Sequence, residues 1–294
     1  MDALNVTQFG KWTVDEKLAL SRMALVYKVR KNGSSRKAVL KTPCSLLEKD
    51  LAFFRRECEI TGELGISRYF PRFIEASTVA PPYYLVMNNI PGVSFRTHFL
   101  SCQERSLLKN EFAFQIKALY GAAIALEKMH EGGFIHNDIK LGNFIRKPRG
   151  RVILFDFGIA RRGKLSIQGG REILIYEEHS PTVRGTPLYM APELYSSKEY
   201  NKHVMYSSLA DVWSFGITSY LIFSGISPFR DDSISCLSHS IRSDTPKSIP
   251  SLDKKVMHLI YTALEKQRKN RPTMRELRQE LGSRMDEFGI NYMQ

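Results

Sequence analysis

The chain has 294 residues, of which 43 % are hydrophobic, and a net charge of +13 with a pI near 9.6; it is long for one average domain, short for two, and apolar enough to build a sizeable core. Its longest apolar stretch, Phe215 to Phe223, falls short of the about 20 residues a bilayer span needs, and Met1 to Asn5 carry no basic-then-apolar secretory pattern. Cys44, Cys58, Cys102 and Cys236 form no C-x-x-C pair and read as free thiols of a reducing compartment, cytoplasm or nucleus. The basic excess is either a solvated surface or an attraction to an anionic ligand, an acidic substrate or a nucleoprotein assembly.

In chain order, Leu25–Val29 and Arg36–Lys41 flank Asn32-Gly33, a strong hairpin signal. Ser45-Leu46-Leu47-Glu48 reads as a capping box opening a helix that runs to about Leu64. The apolar run Tyr83–Met87 is a strand that ends before Pro91-Gly92, where the composition shifts. Helical patterns follow over 104–131, 208–224, 254–266 and 273–283. The densest basic cluster, Arg146 to Arg151, holds Pro148 and Gly150 between two apolar runs and reads first as a hairpin loop, only secondarily as a phosphate-binding patch. There is no internal repeat and no low-complexity linker.

The chemistry concentrates in His136-Asn137-Asp138-Ile139-Lys140-Leu141-Gly142-Asn143 and, after the apolar strand Val152–Phe155, in Asp156-Phe157-Gly158. Phosphoryl transfer needs metal ions to neutralise charge, a cation on the phosphates and a carboxylate to orient the attacking hydroxyl. Asp138, Lys140, Asn143 and Asp156 supply those groups. In these motifs the sequence resembles the eukaryotic-type protein kinase superfamily, Ser/Thr type. The resemblance extends over roughly residues 14 to 285. Gly185 to Glu193 is similar to the segment that receives the substrate peptide. Asp211-Val212-Trp213-Ser214-Phe215-Gly216 is similar to the start of the buried central helix, and Arg271 to the Arg that pairs with the Glu of A-P-E, here Glu193.

The resemblance implies an α+β, bilobal protein kinase fold: a small β-rich N-lobe with one main helix (about 1–90) and a larger helical C-lobe (about 91–294), one kinase domain over 1–294. It implies ATP and Mg²⁺ as cofactors and a protein bearing Ser or Thr as partner, with no membrane. Asp138 is then the catalytic base, Lys140 lies on the γ-phosphate, and Asn143 and Asp156 are Mg²⁺ ligands. Ala38-Val39-Leu40-Lys41 resembles the strand carrying the ATP-anchoring lysine, and alternation puts Val39 and Lys41 on one side. At about 100° per residue, Glu57 falls on the inward stripe with Phe53, Phe54, Ile60 and Thr61, while Glu59 faces solvent. Glu57 is therefore the expected partner of Lys41. By resemblance Met87 is the gatekeeper and Asn88 to Ile90 the adenine-binding hinge. Val26, Val39 and Ile145 sandwich the purine, a role compatible with ordinary core packing.

The pattern also departs from the family. Ala19, Ser21 and Ala24 stand where the phosphate loop carries glycines, which stiffens the backbone around the phosphates. Asn137 replaces the Arg of H-R-D and cannot hold an activation-loop phosphate through a bidentate charged contact. Loop phosphorylation is therefore expected to be dispensable. Ser166, Ser180, Thr182 and Thr186 are possible acceptors, and Arg161, Arg162 and Arg184 are alternative phosphate ligands. The H-N-D triplet is also similar to small-molecule kinases of the choline and aminoglycoside type, against which Lys140 and the Gly185–Glu193 segment stand. Lys140 with Gly185-Thr186 points to Ser/Thr acceptors. Ser94, Gly142, Leu188 and Leu221 do not support a strong upstream Arg preference, for which Glu172, Glu177 and Glu178 are the available substitutes. A pseudokinase scaffold is the competing class, favoured by the altered loop and opposed by the complete set of Lys41, Glu57, Asp138, Lys140, Asn143 and Asp156. The trimmed size resembles divergent kinases of large DNA viruses such as baculoviruses, which would act inside the host cell.

Overall fold

Strand β1 (Gln8–Phe9) leads into β2 (Trp12–Leu20), β3 (Ala24–Lys31) and β4 (Lys37–Pro43). The β3–β4 turn is the one the Asn-Gly pair predicts: Gly33 has φ 71° and Ser34 N–H donates to Lys31 O at 3.0 Å. These elements belong to a computed structural model that describes residues 7–21, 23–100, 111–178, 183–199, 204–250 and 252–292. The chain divides into two compact units, one running to Pro91 and taking in Asp156–Gly158, the other comprising Gly92–Phe155 and Ile159–Gln294.

In the first unit, helix α1 (Glu48–Leu64) precedes β5 (Phe73–Ser77) and β6 (Tyr84–Asn88), and the six strands form an antiparallel sheet in the order β1-β2-β3-β4-β6-β5. Period-2 alternation sorts the sheet into two faces. On one face Phe9, Trp12, Tyr27, Val29, Ala38, Leu40 and Val86 form a core, and Trp12 Nε1 donates to Glu75 Oε1 at 2.6 Å. On the other, Leu85 packs with Phe54 and Cys58 of α1. The helix starts at Glu48, two residues later than a cap at Ser45 would set it, and the capping box is absent: Leu47 is the N-cap with no side-chain bond, and Ser45 Oγ accepts from Leu47 N–H instead. The Ser45–Glu48 spacing fits a box, but the helix begins two residues further on, so its N3 amide is that of Asp50, beyond the reach of Ser45. The helix ends where a close approach demands glycine, since a Cβ on Gly65 would lie 2.6 Å from Thr61 O and 2.8 Å from Phe73 N.

The second unit contains β7 (Val93–Ser94), α2 (Phe95–Leu100), α3 (Glu111–Glu131), β8 (Phe134–Ile135), β9 (Phe144–Arg146), β10 (Val152–Leu154), β11 (Arg161–Arg162), β12 (Lys164–Gln168), β13 (Arg171–Glu178), α4 (Pro192–Glu199), β14 (Val204–Ser207), α5 (Ser208–Ser224), α6 (Ile234–Ser243), α7 (Lys254–Ala263) and α8 (Met274–Glu287). Helix α5 is apolar around its whole circumference and is buried from Ser208 to Ile222, the pattern of a central helix. Its Thr218 and Ser219 hydroxyls donate to carbonyls one turn back, which satisfies them inside the core. A Cβ on Gly216 would lie 2.9 Å from Leu264 and 3.0 Å from Ala263, so glycine there admits α7. Helix α3 packs on α8 and β10, with Ile116, Val256, Met285 and Ile290 in one cluster.

The basic cluster is a hairpin loop between β9 and β10, with Lys147 N–H bonded to Arg151 O. Helix α3 is described from Glu111, and residues 104–110 of the expected helix lie outside the described residues, as do Ser180, Thr182 and Cys102. Helix α7 stops at Ala263 rather than 266, and α8 extends to Glu287 from a Thr273–Glu276 capping box. Helices α2, α4 and α6 were not expected. Nor was the antiparallel sheet β12-β13-β14, although Gly169-Gly170 between the alternating Leu165/Ile167 and Ile173/Ile175 is a hairpin signal. The chain is α+β: one β-rich unit with a single long helix and one larger, mainly helical unit. Among the described residues no helix is long and apolar enough to cross a membrane.

Candidate active site

In the first unit, alternation turns Ala38 and Leu40 into the core and leaves Val39 and Lys41 half-buried on the other side of β4. Lys41 lies opposite Val26 on β3 and Leu85 on β6. Its Nζ lies 2.6 Å from Glu57 Oε1 and 2.7 Å from Asp156 Oδ1. Glu57 projects from the buried stripe of α1 and is 5 % exposed, whereas Glu59 faces solvent. Burial works against the Lys41 charge, but Asp156 and Glu57 outweigh it and hold the ammonium's pKa above its usual value.

Asp156 reaches this position with φ 70°, a left-handed conformation uncommon outside glycine. Phe157, 2 % exposed, anchors the turn edge-on against Phe70 with ring centroids 5.9 Å apart. Next to it, Gly158 leaves ordinary contact space: a Cβ would lie 3.5 Å from Glu57 Oε2 and 3.7 Å from Lys41 Nζ.

Val26 and Val39 are half-buried, and Val39 pairs with Met87, which packs against the Phe54–Cys58–Leu85 cluster. Asn88 is tied down on its outer side, with Oδ1 accepting from Arg72 N–H at 2.6 Å and its own N–H donating to Arg72 O. Ile90 is half-buried beyond it. Ala19 pairs with Val26 near the tip of the β2–β3 hairpin. Ser21 closes that tip: its N–H and Oγ both donate to Ala24 O, and Oγ accepts from Ala24 N–H at 3.0 Å. Ala24 is 2 % exposed, whereas Leu20 and Met23 on either side of the tip are exposed.

In the second unit, the loop after β8 is held by one carboxylate. Asp211, fully buried in the first turn of α5, accepts from His136 N–H and Asn137 N–H, each at 2.8 Å, and its Oδ2 lies 2.9 Å from His130 Nε2. This fixes Asn137 at φ 65° and aims the next residue, Asp138. Asp138 Oδ1 accepts from both the Thr186 hydroxyl (2.6 Å) and the Thr186 N–H (3.1 Å). Its Oδ2 lies 2.5 Å from Lys140 Nζ, which also donates to Thr186 Oγ1 at 3.1 Å. Asn143, 3 % exposed, spends its amide nitrogen on Asp138 O at 2.8 Å, leaving the amide oxygen as its remaining ligand atom. Ile145, half-buried on β9, pairs with Ser94 and Ile153.

Thr186, read from its motif as an acceptor signal, and Asp211, read as the start of the central helix, also contact the Asp138 loop directly, which motif reading did not foresee. The first follows Gly185, whose φ of 137° turns the chain, and the second opens the central helix. Behind them, Glu193 of α4 is gripped bidentately by Arg271, at 2.8 and 2.7 Å.

Asn143 and Asp156 offer hard oxygen donors, the ligand chemistry of Mg²⁺. The Asp156 side chain is 39 % exposed, open enough to share with an ion.

A family model described as protein kinase domain matches residues 12–281. Among curated proteins the chain is 28 % identical to serine/threonine-protein kinase PEPKR2 of Arabidopsis thaliana, over 74 % of this chain and 40 % of that one. It is 29 % identical to CBL-interacting protein kinase 25 of Oryza sativa subsp. japonica, over 52 % of this chain and 27 % of that one. It is also 28 % identical to protein kinase C-like 2 of Schizosaccharomyces pombe, over 55 % of this chain and 14 % of that one. The chain therefore spans less than half the length of each of these relatives.

Proposed function

Because the chain belongs to the protein kinase domain family, we propose that it transfers the γ-phosphoryl group of ATP to Ser or Thr hydroxyls of protein substrates. The observation that carries this reading is Asp138, whose Oδ1 accepts a Thr hydroxyl at 2.6 Å while Oδ2 faces the Lys140 ammonium at 2.5 Å. A carboxylate that already holds a hydroxyl beside a cation is arranged to orient an attacking alcohol and receive its proton.

Lys41, fixed by Glu57, binds the donor's phosphates, and Lys140 neutralises charge on the transferred group. Asp156 and Asn143 are the oxygen donors that would hold Mg²⁺, which would screen the phosphate oxygens. Met87, Asn88 and Ile90, with Val26, Val39 and Ile145, would receive the adenine, and the backbone at Ala19, Ser21 and Ala24 would lie on the phosphates. The whole of 1–294 acts as one kinase domain, with an N-lobe of about 1–90. The net charge of +13 adds attraction to anionic partners. The free thiols Cys44, Cys58 and Cys236 suit a reducing intracellular compartment.

A pseudokinase scaffold is the second reading, favoured by one observation: Ser21 cross-links the hairpin tip where a phosphate loop needs open backbone N–H groups. Radiolabelled ATP with a peptide library separates the two. The kinase reading expects transfer to Ser/Thr peptides that falls by roughly 10²–10⁴-fold in Asp138→Asn and is lost in Asp156→Asn. No transfer by wild type, or equal transfer by Asp138→Asn, selects the scaffold.

A further inference from the structure

Residues Ile159–Glu178 carry an ion pair of their own, built on a buried arginine. Arg161 on β11 is 3 % exposed. Its Nη1 donates to Ile159 O at 3.1 Å and Ala160 O at 3.0 Å, its Nη2 reaches Glu178 Oε2 on β13 at 3.3 Å, and the guanidinium lies over the Tyr176 ring at 5.7 Å. A cation removed from water this completely requires an anion beside it. In this chain the anion is a carboxylate of the same segment, brought there because β13 pairs with β14 and sets Glu178 opposite Val204.

Two connections lead from the pair to the catalytic loop. Ile159 O, held by Arg161, also accepts from Asn137 Nδ2 at 3.2 Å, so the guanidinium and the residue preceding Asp138 grip one carbonyl. Further along the chain, Arg184 N–H donates to the Tyr206 hydroxyl at 3.0 Å. Tyr206 is 2 % exposed and lies opposite Tyr176 in the β13–β14 ladder, the tyrosine whose ring sits under the Arg161 guanidinium. Two residues after Arg184, Thr186 makes its double contact with Asp138. One flank of Asp138 thus shares a carbonyl with the pair, and the other lies two residues from an amide bonded to the tyrosine beside it.

Phosphate on an activation segment commonly works by giving buried arginines an anion and so ordering the chain. We propose that Glu178 does this permanently: Glu178 and Arg161 are positioning residues whose built-in ion pair replaces a loop phosphate and holds Asn137 and Thr186 against Asp138. The neutral amide of Asn137 fits this scheme, since it bonds a carbonyl and has no need of an added anion. The proposal rests on the phosphoryl-transfer reading only for what the positioned groups then do.

The test compares Glu178→Gln, which keeps shape and removes charge, with Glu178→Asp, which keeps charge. Both are made in the full chain, stripped of phosphate and verified bare by mass spectrometry. Glu178→Gln is expected to lower kcat about tenfold or more, roughly 1.4 kcal/mol in the barrier, with KM for ATP within about twofold. Amide hydrogen exchange at 159–162 and 183–186 should accelerate about tenfold or more. Glu178→Asp should restore most of both effects. A merely structural contact would raise exchange throughout the unit or leave kcat alone. Unchanged exchange in Glu178→Gln, or failure of Asp to recover it, overturns the proposal. If wild type transfers no phosphate, local acceleration still supports the clamp while the kinase reading falls. Should Glu178→Gln not fold, Tyr206→Phe takes its place. Loss of the phenol oxygen must then accelerate exchange at 183–186, and its failure to do so overturns the proposal equally.

Discussion

Replacing Arg271 by Lys keeps the charge and tests how much of the helical unit hangs on one guanidinium. Arg271 is fully buried, and its N–H groups are all engaged: Nε with Glu265 O at 2.8 Å, Nη1 with Glu193 Oε1 at 2.8 Å and Leu209 O at 3.0 Å, Nη2 with Glu193 Oε2 at 2.7 Å and Lys266 O at 3.3 Å. The guanidinium also lies 5.1 Å from the Trp213 ring centroid. Lysine has three donors on a point charge and cannot reproduce the fork. At least two acceptors lose their partner, at about 1–3 kcal/mol for each buried one, so Arg271→Lys should cost about 2–6 kcal/mol. At roughly 2–4 °C per kcal/mol for a chain of this class, the midpoint falls by at least about 4 °C. Thermal unfolding followed by circular dichroism, with urea denaturation for the free energy, measures both. A shift below about 1 °C would refute the reasoning, since it would mean that the carbonyls of Leu209, Glu265 and Lys266 find partners without the fork.

Restoring glycine at Ala19, Ser21 and Ala24 frees the hairpin tip that Ser21 now cross-links and should tighten ATP binding or raise turnover. Calorimetry showing unchanged or weaker binding, with no gain in turnover, counts against it. Lys266 donates to Ile241 O at 2.6 Å, and burial first, then Arg271, pull its pKa down to about 8 against the opposing pull of Asp244. Between that value and the unfolded value of about 10.4, the unfolded chain holds a proton the folded one lacks, so stability rises with pH. Urea titrations at pH 7.5 and 9.5 should show that rise in wild type and lose it in Lys266→Met; the same slope in both proteins rules it out. Phosphatase treatment of the active enzyme, with the loop shown bare by mass spectrometry, should leave the basal rate within about tenfold. A larger fall would mean that a phosphate does matter and that a cation other than residue 137 receives it.

What the sequence alone determines is whatever depends on neighbours within a turn or a strand. The Asn32-Gly33 turn, the two faces of β4 and the inward stripe of α1 are local consequences of backbone geometry and side-chain period. They suffice to put Val39 beside Lys41 and to choose Glu57 over Glu59. Helix α5 is legible for the same reason, because its apolar circumference leaves it no surface to expose. The ends of elements are less so: Ser45 resembled a cap, but the helix begins two residues later, with Leu47 as its N-cap.

The tertiary structure decides the contacts between residues far apart in the chain. Thr186 meets Asp138 across 48 positions, Asp211 holds the catalytic loop across 74 and 75, and Arg271 reaches Glu193 across 78. Nothing in the period or propensity of any of these segments specifies its partner, because each pairing follows from the path of the chain between them. The Arg161–Glu178 pair shows why. Both residues sit in segments whose strand character is visible locally, but a charged side chain on a strand is by itself as suited to water as to the interior. Only the tertiary path of the chain brings Glu178, paired with Val204 on β14, within 3.3 Å of the buried Arg161. Asp156 obeys the same rule, since its left-handed φ costs energy locally and is held by Phe157 on one side and Lys41 on the other.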